Sequence, residues 1–225
     1  MENLIRNYTF VNYYDGQMKI QKRMQVKLDH LLQKLDLLRA GKSYVESGKY
    51  GTTNGSAMKV SPLGILHDYH DIKGLVDDVC KLCLPTHNTS IAIAGASVIA
   101  TLSSYALRHE YNEGEIWSLA KRAIEEGMKH GNQLPSASLS KRIDLIRQDI
   151  TTLSEKEVLE KLEIVYGVGF ETIETIPAVL AMIILSKGNP MKSAQLSAYI
   201  LQGIVIRLVL YPLLSVAHFI QNLIV

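Results

Sequence analysis

The chain has 225 residues, of which 47% are hydrophobic and 20% charged, with a formal net charge of +2. This is the profile of an ordinary globular protein; it excludes general disorder and gives no reason to expect nucleic acid as a partner. Two cysteines make no disulfide framework and no charged-then-apolar leader opens the chain, so a reducing, cytoplasmic setting is expected.

In chain order, Ile20, Met24, Leu28, Leu31, Leu35 and Leu38 recur at spacings of three and four. That spacing predicts an amphipathic helix, ended by Gly41 in a left-handed turn. Ile72, Leu75, Val76, Val79, Cys80 and Cys83 repeat the pattern until Pro85 stops it. Ser90 to Leu107 is almost uncharged and rich in Ala, Ser and Gly, which predicts a buried helix closely packed by its neighbours. Ile116, Trp117, Ala120, Ala123 and Ile124 mark another helix, and Leu139, Ile143, Ile146 and Ile150 a shorter one. Ser154 with Glu157 is a capping box opening a helix to about Val165. Pro177 is expected as the first helical residue of a run ending at Gly188-Asn189-Pro190. With few alternating strand patterns, the expected fold is an all-α globule around the Ser90–Leu107 helix.

Two segments could carry chemistry. In Thr52-Thr53-Asn54-Gly55-Ser56-Ala57-Met58-Lys59-Val60-Ser61-Pro62-Leu63-Gly64, the Asn-Gly pair makes a tight turn with exposed N–H groups. It reads either as a plain loop between helices or as a place where a ligand approaches the main chain. In Pro85-Thr86-His87-Asn88-Thr89-Ser90, polar groups gather at the positive end of the buried helix. Capping by Asn88, Thr89 or Ser90 explains most of this segment, and an anion site is the alternative that also gives His87 a role.

Together these motifs, in this order and spacing, resemble the ADP-ribosylglycohydrolase family, whose pattern is close to N-G-A-A-M-R-x-x-P-L-G followed by T-H-x and a small-residue helix. The resemblance runs from about Gly41 to Tyr199 and includes Glu174–Ala178 and the S-K-G-N-P turn. It implies an all-α hydrolase that removes ADP-ribose from protein side chains or small acceptors, using two divalent cations, usually magnesium. ADP-ribose or an ADP-ribosylated protein is then the implied partner. By the same resemblance Asn54, Gly55 and Met58 belong to the loop that lies against ADP-ribose, and His87 and Asn88 to a second ligand-side loop. Lys59 stands where the family has arginine and lacks the planar fork suited to a phosphate.

The family's metal motifs, an early T-D-D-T and a late G-D-x-D-T, are not in the sequence, nor is its G-D-x-x-G. The resemblance therefore supplies no catalytic and no metal-binding residue here, and an inactive, truncated member of the family is expected. A non-catalytic ADP-ribose-binding module using Asn54, Gly55, His87 and Asn88 is the alternative. Cys80 and Cys83 lie in an apolar stripe and read as buried structural residues, while His67-Asp68-Tyr69-His70-Asp71 reads as a solvated helix start. Asp77-Asp78 and Glu125-Glu126 are adjacent on helices and point apart.

Residues 1–199 are expected to form one incomplete helical domain, and 200–225 an apolar tail. Residues 196–225 contain a single charged residue, Arg207. A membrane-tethered helical protein would use this tail, yet Arg207 within the bilayer and Pro212 beside it make a poor anchor. Read from the third base of the Gly203 codon, the degenerate code permits D-S-D-T-I-G-A-I-S-A-A, the family's late motif. A frameshifted tail and a truncated start are the resulting expectations.

Overall fold

A computed structural model describes residues 43–200, together with Asp36 and residues 39–41. The amphipathic helix expected over residues 20–38 and the apolar tail therefore lie outside the described residues, apart from Asp36 and Ile200. Gly41 has the left-handed φ of 78° that the predicted helix end calls for.

The described residues form helices joined by short loops: α1 (Tyr44–Ser47), α2 (Ser61–Leu66), α3 (Ile72–Cys83), α4 (Ser90–Arg108), α5 (Glu113–Gly127), α6 (Leu139–Thr152), α7 (Glu155–Lys161), α8 (Thr172–Leu185) and α9 (Pro190–Tyr199). Among them there is no strand, only the isolated bridges Thr53–Glu171 and Thr89–Asn132. The all-α expectation holds.

Helix α4 is the axis of the globule, buried from Ser90 through Tyr105 and packed on by α2, α3, α5 and α8. Its length and apolarity would suffice to cross a membrane, but here it is enclosed by other helices. Small side chains set how close those helices come. A Cβ on Gly127 of α5 would lie 2.6 Å from the Ala94 Cα, and one on Gly64 of α2 would lie 2.6 Å from the Ala100 carbonyl oxygen. Two of the hydroxyls in this small-residue pattern are satisfied within the helix, Ser97 donating to the Ile93 carbonyl and Ser103 to the Ile99 carbonyl, whereas Thr101 Oγ1 is buried with no partner among the described residues.

Two boundaries differ from the sequence reading. Helix α7 opens on the expected Ser154–Glu157 capping box but ends at Lys161, and Leu162–Tyr166 form a π-helical turn. The wider turn buries Leu162 and Tyr166 while Ile164 and Val165 face solvent, and it brings the Tyr166 hydroxyl onto Asp149 of α6. Helix α8 starts at Thr172, so Pro177 lies inside it and not at its start. Proline has no N–H for the Ile173 carbonyl. Arg142 Nη1 donates to that carbonyl (3.4 Å) and to the Tyr166 carbonyl (2.6 Å), which makes the interior proline tolerable. The short helices α2 and α9 carry too little apolar pattern to be read from sequence.

Candidate functional site

The Thr52–Lys59 loop is held from one side by the start of α8. The Thr52 carbonyl accepts from the Thr172 N–H (3.1 Å) and hydroxyl (2.7 Å), and the Asn54 N–H donates to the Phe170 carbonyl (2.8 Å). Asn54 is fully buried; its Nδ2 donates to Thr175 Oγ1 (3.0 Å), and that hydroxyl donates to the Gly169 carbonyl (2.8 Å). Its Oδ1 is buried and accepts no hydrogen bond among the described residues. Met58 is half-buried against the core, and its N–H donates to the Asn54 carbonyl (3.2 Å), tightening the turn.

On the other side stands the segment after α3. The Thr86 and His87 N–H groups both donate to the Cys83 carbonyl, which folds the chain back as Pro85 ends the helix. Thr89 is the cap of α4, accepting from the Ala92 N–H (3.4 Å) and donating to the Gly51 carbonyl (2.6 Å). Of the three capping candidates, Thr89 holds the position. Asn88 is buried and acts as a strut, its Nδ2 donating to the Val45 carbonyl (3.1 Å) and its N–H to the Gly48 carbonyl (2.8 Å).

His87 joins the two loops. Its Nε2 lies 2.9 Å from Thr53 Oγ1 and its Nδ1 lies 2.8 Å from Thr86 Oγ1. The ring edge also packs on Gly55, where a Cβ would lie 2.8 Å from Cε1. Lys59 Nζ donates to Thr86 Oγ1 (2.9 Å), so its ammonium has a partner inside the loop pair. Burial pulls the Lys59 ammonium below its ordinary pKa, and burial pushes the neighbouring Cys83 thiol up to about 12. Motifs 34 residues apart in sequence thus share one polar chain, Lys59–Thr86–His87–Thr53.

A third segment, Tyr166–Glu171, was not singled out from the sequence. Gly167 takes φ of 79°, and the Gly169 N–H donates to Glu174 Oε2 (2.8 Å). The segment's first residue is fastened by Asp149, which accepts from the Tyr166 hydroxyl (2.5 Å) and from Lys161 Nζ (2.7 Å). Burial first, then the bond to Asp149, pushes the Tyr166 phenol well above its usual pKa. The only signal in the sequence was Gly167-Val168-Gly169, and a lone pair of spaced glycines says little.

Magnesium needs several oxygen ligands in near-octahedral geometry. Among the described residues no group of three or more His, Cys, Asp or Glu side chains could hold a metal ion. The two divalent cations that the resemblance implies do not fit these residues. Cys83 is buried and Cys80 half-buried, both as free thiols. In the His67–Asp71 stretch, His67 pairs with Asp78 (2.9 Å), His70 with Asp68 (2.6 Å), and Asp71 caps α3. The paired carboxylates do diverge: Asp78 engages His67 and Lys81, whereas Asp77 lies 3.9 Å from His130.

Comparison with known proteins adds two findings. The family model described as ADP-ribosylglycohydrolase matches residues 3–203. A curated protein of Escherichia coli (strain K12), "Uncharacterized protein YegU", is 36% identical over 169 residues, which cover 73% of this chain and 49% of that protein. The chain spans about half the length of this curated relative.

Proposed function

The chain belongs to the ADP-ribosylglycohydrolase family, and from that premise we propose that its Asn54 and His87 loops are the ADP-ribose-facing wall of a hydrolase site. The observation that carries this reading is the Thr53–His87 hydrogen bond (2.9 Å), which brings the two family motifs to one place. The family acts on ADP-ribosylated substrates. In this chain Gly55 lets the His87 ring approach the main chain, Met58 backs the turn, and the hydrogen-bonded Thr53–His87 pair offers a polar hydrogen to a sugar or diphosphate oxygen. Asn54 and Asn88 shape the two loops from inside, and the unpaired Asn54 Oδ1 is an acceptor for a donor brought by a ligand or water. The alternative membrane tether rests on the tail, which, apart from Ile200, lies outside the described residues.

Hydrolysis by two metal ions would need carboxylates beyond those described, and we propose that the 225-residue chain binds ADP-ribose without turning it over. A reducing, cytoplasmic setting is part of the same proposal. Calorimetric titration with ADP-ribose tests the reading. One-to-one binding is expected, weakened about tenfold by His87→Ala through the loss of one or two hydrogen bonds. No heat with ADP-ribose, and no shift of loop resonances, would sink it.

A further inference from the structure

Asn54-Gly55 is the one Asn-Gly pair in the chain, and such a pair is chemically self-reactive. The Gly55 main-chain nitrogen can attack Asn54 Cγ, because glycine has no Cβ to obstruct the approach. The new N–C bond closes a five-membered imide, and the side-chain nitrogen leaves as ammonia, carrying off the proton of the Gly55 N–H. Water then opens the imide at either carbonyl, so that asparagine and water become aspartate or isoaspartate and ammonia. Ring closure needs the Asn54 side chain to swing over the Gly55 nitrogen, and it needs Oδ1 to take up negative charge.

The folded loop withholds both conditions. Asn54 is fully buried, and its Nδ2 donates to Thr175 Oγ1 (3.0 Å), which holds the amide against α8. Its main chain is pinned as well: the N–H donates to the Phe170 carbonyl (2.8 Å), and the carbonyl accepts from the Met58 N–H (3.2 Å). The His87 ring lies on Gly55, with Nε2 2.9 Å from Thr53 Oγ1, so the following residue has little room to turn. Oδ1 is buried with no donor among the described residues, and the oxyanion of the ring-closing step would form there without stabilisation.

We propose that Asn54-Gly55 is a modification site gated by its own loop: closed, the loop blocks ring closure, and open, it lets Asn54 convert to aspartate or isoaspartate. The latch is the Asn54–Thr175 hydrogen bond, which spans 121 residues of sequence. Conversion places a carboxylate beside Thr175. As isoaspartate it also lengthens the main chain by one carbon at the turn under His87. Either product should close the site to a diphosphate; that consequence rests on the ADP-ribose reading, whereas the gate does not.

Trypsin isolates the site, since cleavage after Lys49 and Lys59 releases Tyr50–Lys59, in which Asn54 is the one asparagine and there is no glutamine. The folded chain and the chain in guanidinium chloride are aged at the same mildly alkaline pH, and this peptide is followed by mass spectrometry. Digestion in heavy-oxygen water marks any conversion during the digest. The folded chain is expected to convert at least about tenfold more slowly than the unfolded one, as a loop open less than a tenth of the time requires. Thr175→Val should speed conversion in the folded chain about fivefold, the worth of one hydrogen bond, and leave the unfolded rate unchanged. Thr175→Ser, which keeps the hydroxyl, should stay protected. Circular dichroism checks that each variant is folded. If Thr175→Val does not fold, the comparison of folded with unfolded native chain decides on its own. Equal rates in those two states, or a folded Thr175→Val as slow as the native chain, overturn the proposal. In calorimetry Asn54→Asp should weaken ADP-ribose binding at least about tenfold. A native chain with a protected Asn54 that ignores ADP-ribose defeats the ligand reading and leaves the gate standing. One that binds ADP-ribose while converting at the unfolded rate does the reverse.

Discussion

Gly55 and His87 are in direct contact: a methyl group on Gly55 would lie 2.8 Å from His87 Cε1 and 2.9 Å from Nε2. The ring is tied at both nitrogens, so it cannot yield to that methyl without losing Thr53 or Thr86. Gly55→Ala is therefore expected to weaken ADP-ribose binding about tenfold, equivalent to about 1.4 kcal/mol. Thermal unfolding should change little, because the displaced groups lie in surface loops. Calorimetry of the variant beside the native chain measures this; unchanged affinity would show that the ring's position does not matter to the ligand.

Arg142 and Pro177 form a second coupled pair. Arg142 Nη1 serves two carbonyls, Tyr166 and Ile173, and only the second lacks a donor because of Pro177. Arg142→Met should cost about 1–3 kcal/mol, the penalty for buried carbonyls left unpaired. In a Pro177→Ala background the new N–H can serve Ile173 along the helix, so the same substitution should cost less. A double-mutant cycle by urea unfolding reads the difference, expected at about 0.5 kcal/mol or more. Strict additivity would mean that Arg142 does not compensate the proline.

The residues that could be read from sequence are those whose role is local. Helix α4 announces itself because small apolar residues run around its whole circumference, and the α7 start because Ser154 and Glu157 are three positions apart. The loops around positions 54 and 87 were visible through short motifs, and in the structure they meet through Thr53 and Gly55 on His87. What was not legible depends on distant partners. Pro177 looked like a helix start because the guanidinium that excuses it comes from α6. The motif marks Asn54, but not that its amide serves Thr175, 121 residues away. Asn88 holds the Val45 carbonyl for the same kind of reason. The π-turn follows from the seat of Tyr166 on Asp149, and no periodicity encodes that.

Cys83 is expected to make stability fall at alkaline pH. Its thiol is fully buried, and burial raises its pKa from 9.0 to about 12. Between those values the unfolded chain loses a proton that the folded chain keeps. Fewer protons on the unfolded state mean that stability decreases as pH rises. The decline should begin near pH 9 and flatten near 12, amounting to at most about 4 kcal/mol from a three-unit shift. The Tyr166 phenol, also raised, adds to the fall above its ordinary value of 10.0. Urea unfolding at a series of pH values checks it: Cys83→Ala should remove about one proton's worth of slope just above pH 9. An equal slope in that variant would place the titrating group elsewhere.

Magnesium-dependent release of ADP-ribose from a modified protein is expected to stay at background with the purified 225-residue chain. The argument is one of ligands. Water becomes a competent nucleophile at neutral pH when cations lower its pKa, and those cations need a cage of oxygens. The described residues offer no such group, and the sequence contains neither T-D-D-T nor G-D-x-D-T. One acidic side chain on each of α3 and α5 is occupied with lysine or histidine: Asp78 with Lys81 and His67, Glu126 with Lys129. Supplying both aspartate motifs in one chain, the late one as D-S-D-T-I-G after position 203, should bring metal-dependent release. Alanine at either aspartate of that motif should abolish it while ADP-ribose binding at the His87 loop persists. Release by the present chain that EDTA removes would mean that other residues build the cage. Inertness of the completed chain toward every ADP-ribosylated substrate tried would leave binding as the role of the His87 loop.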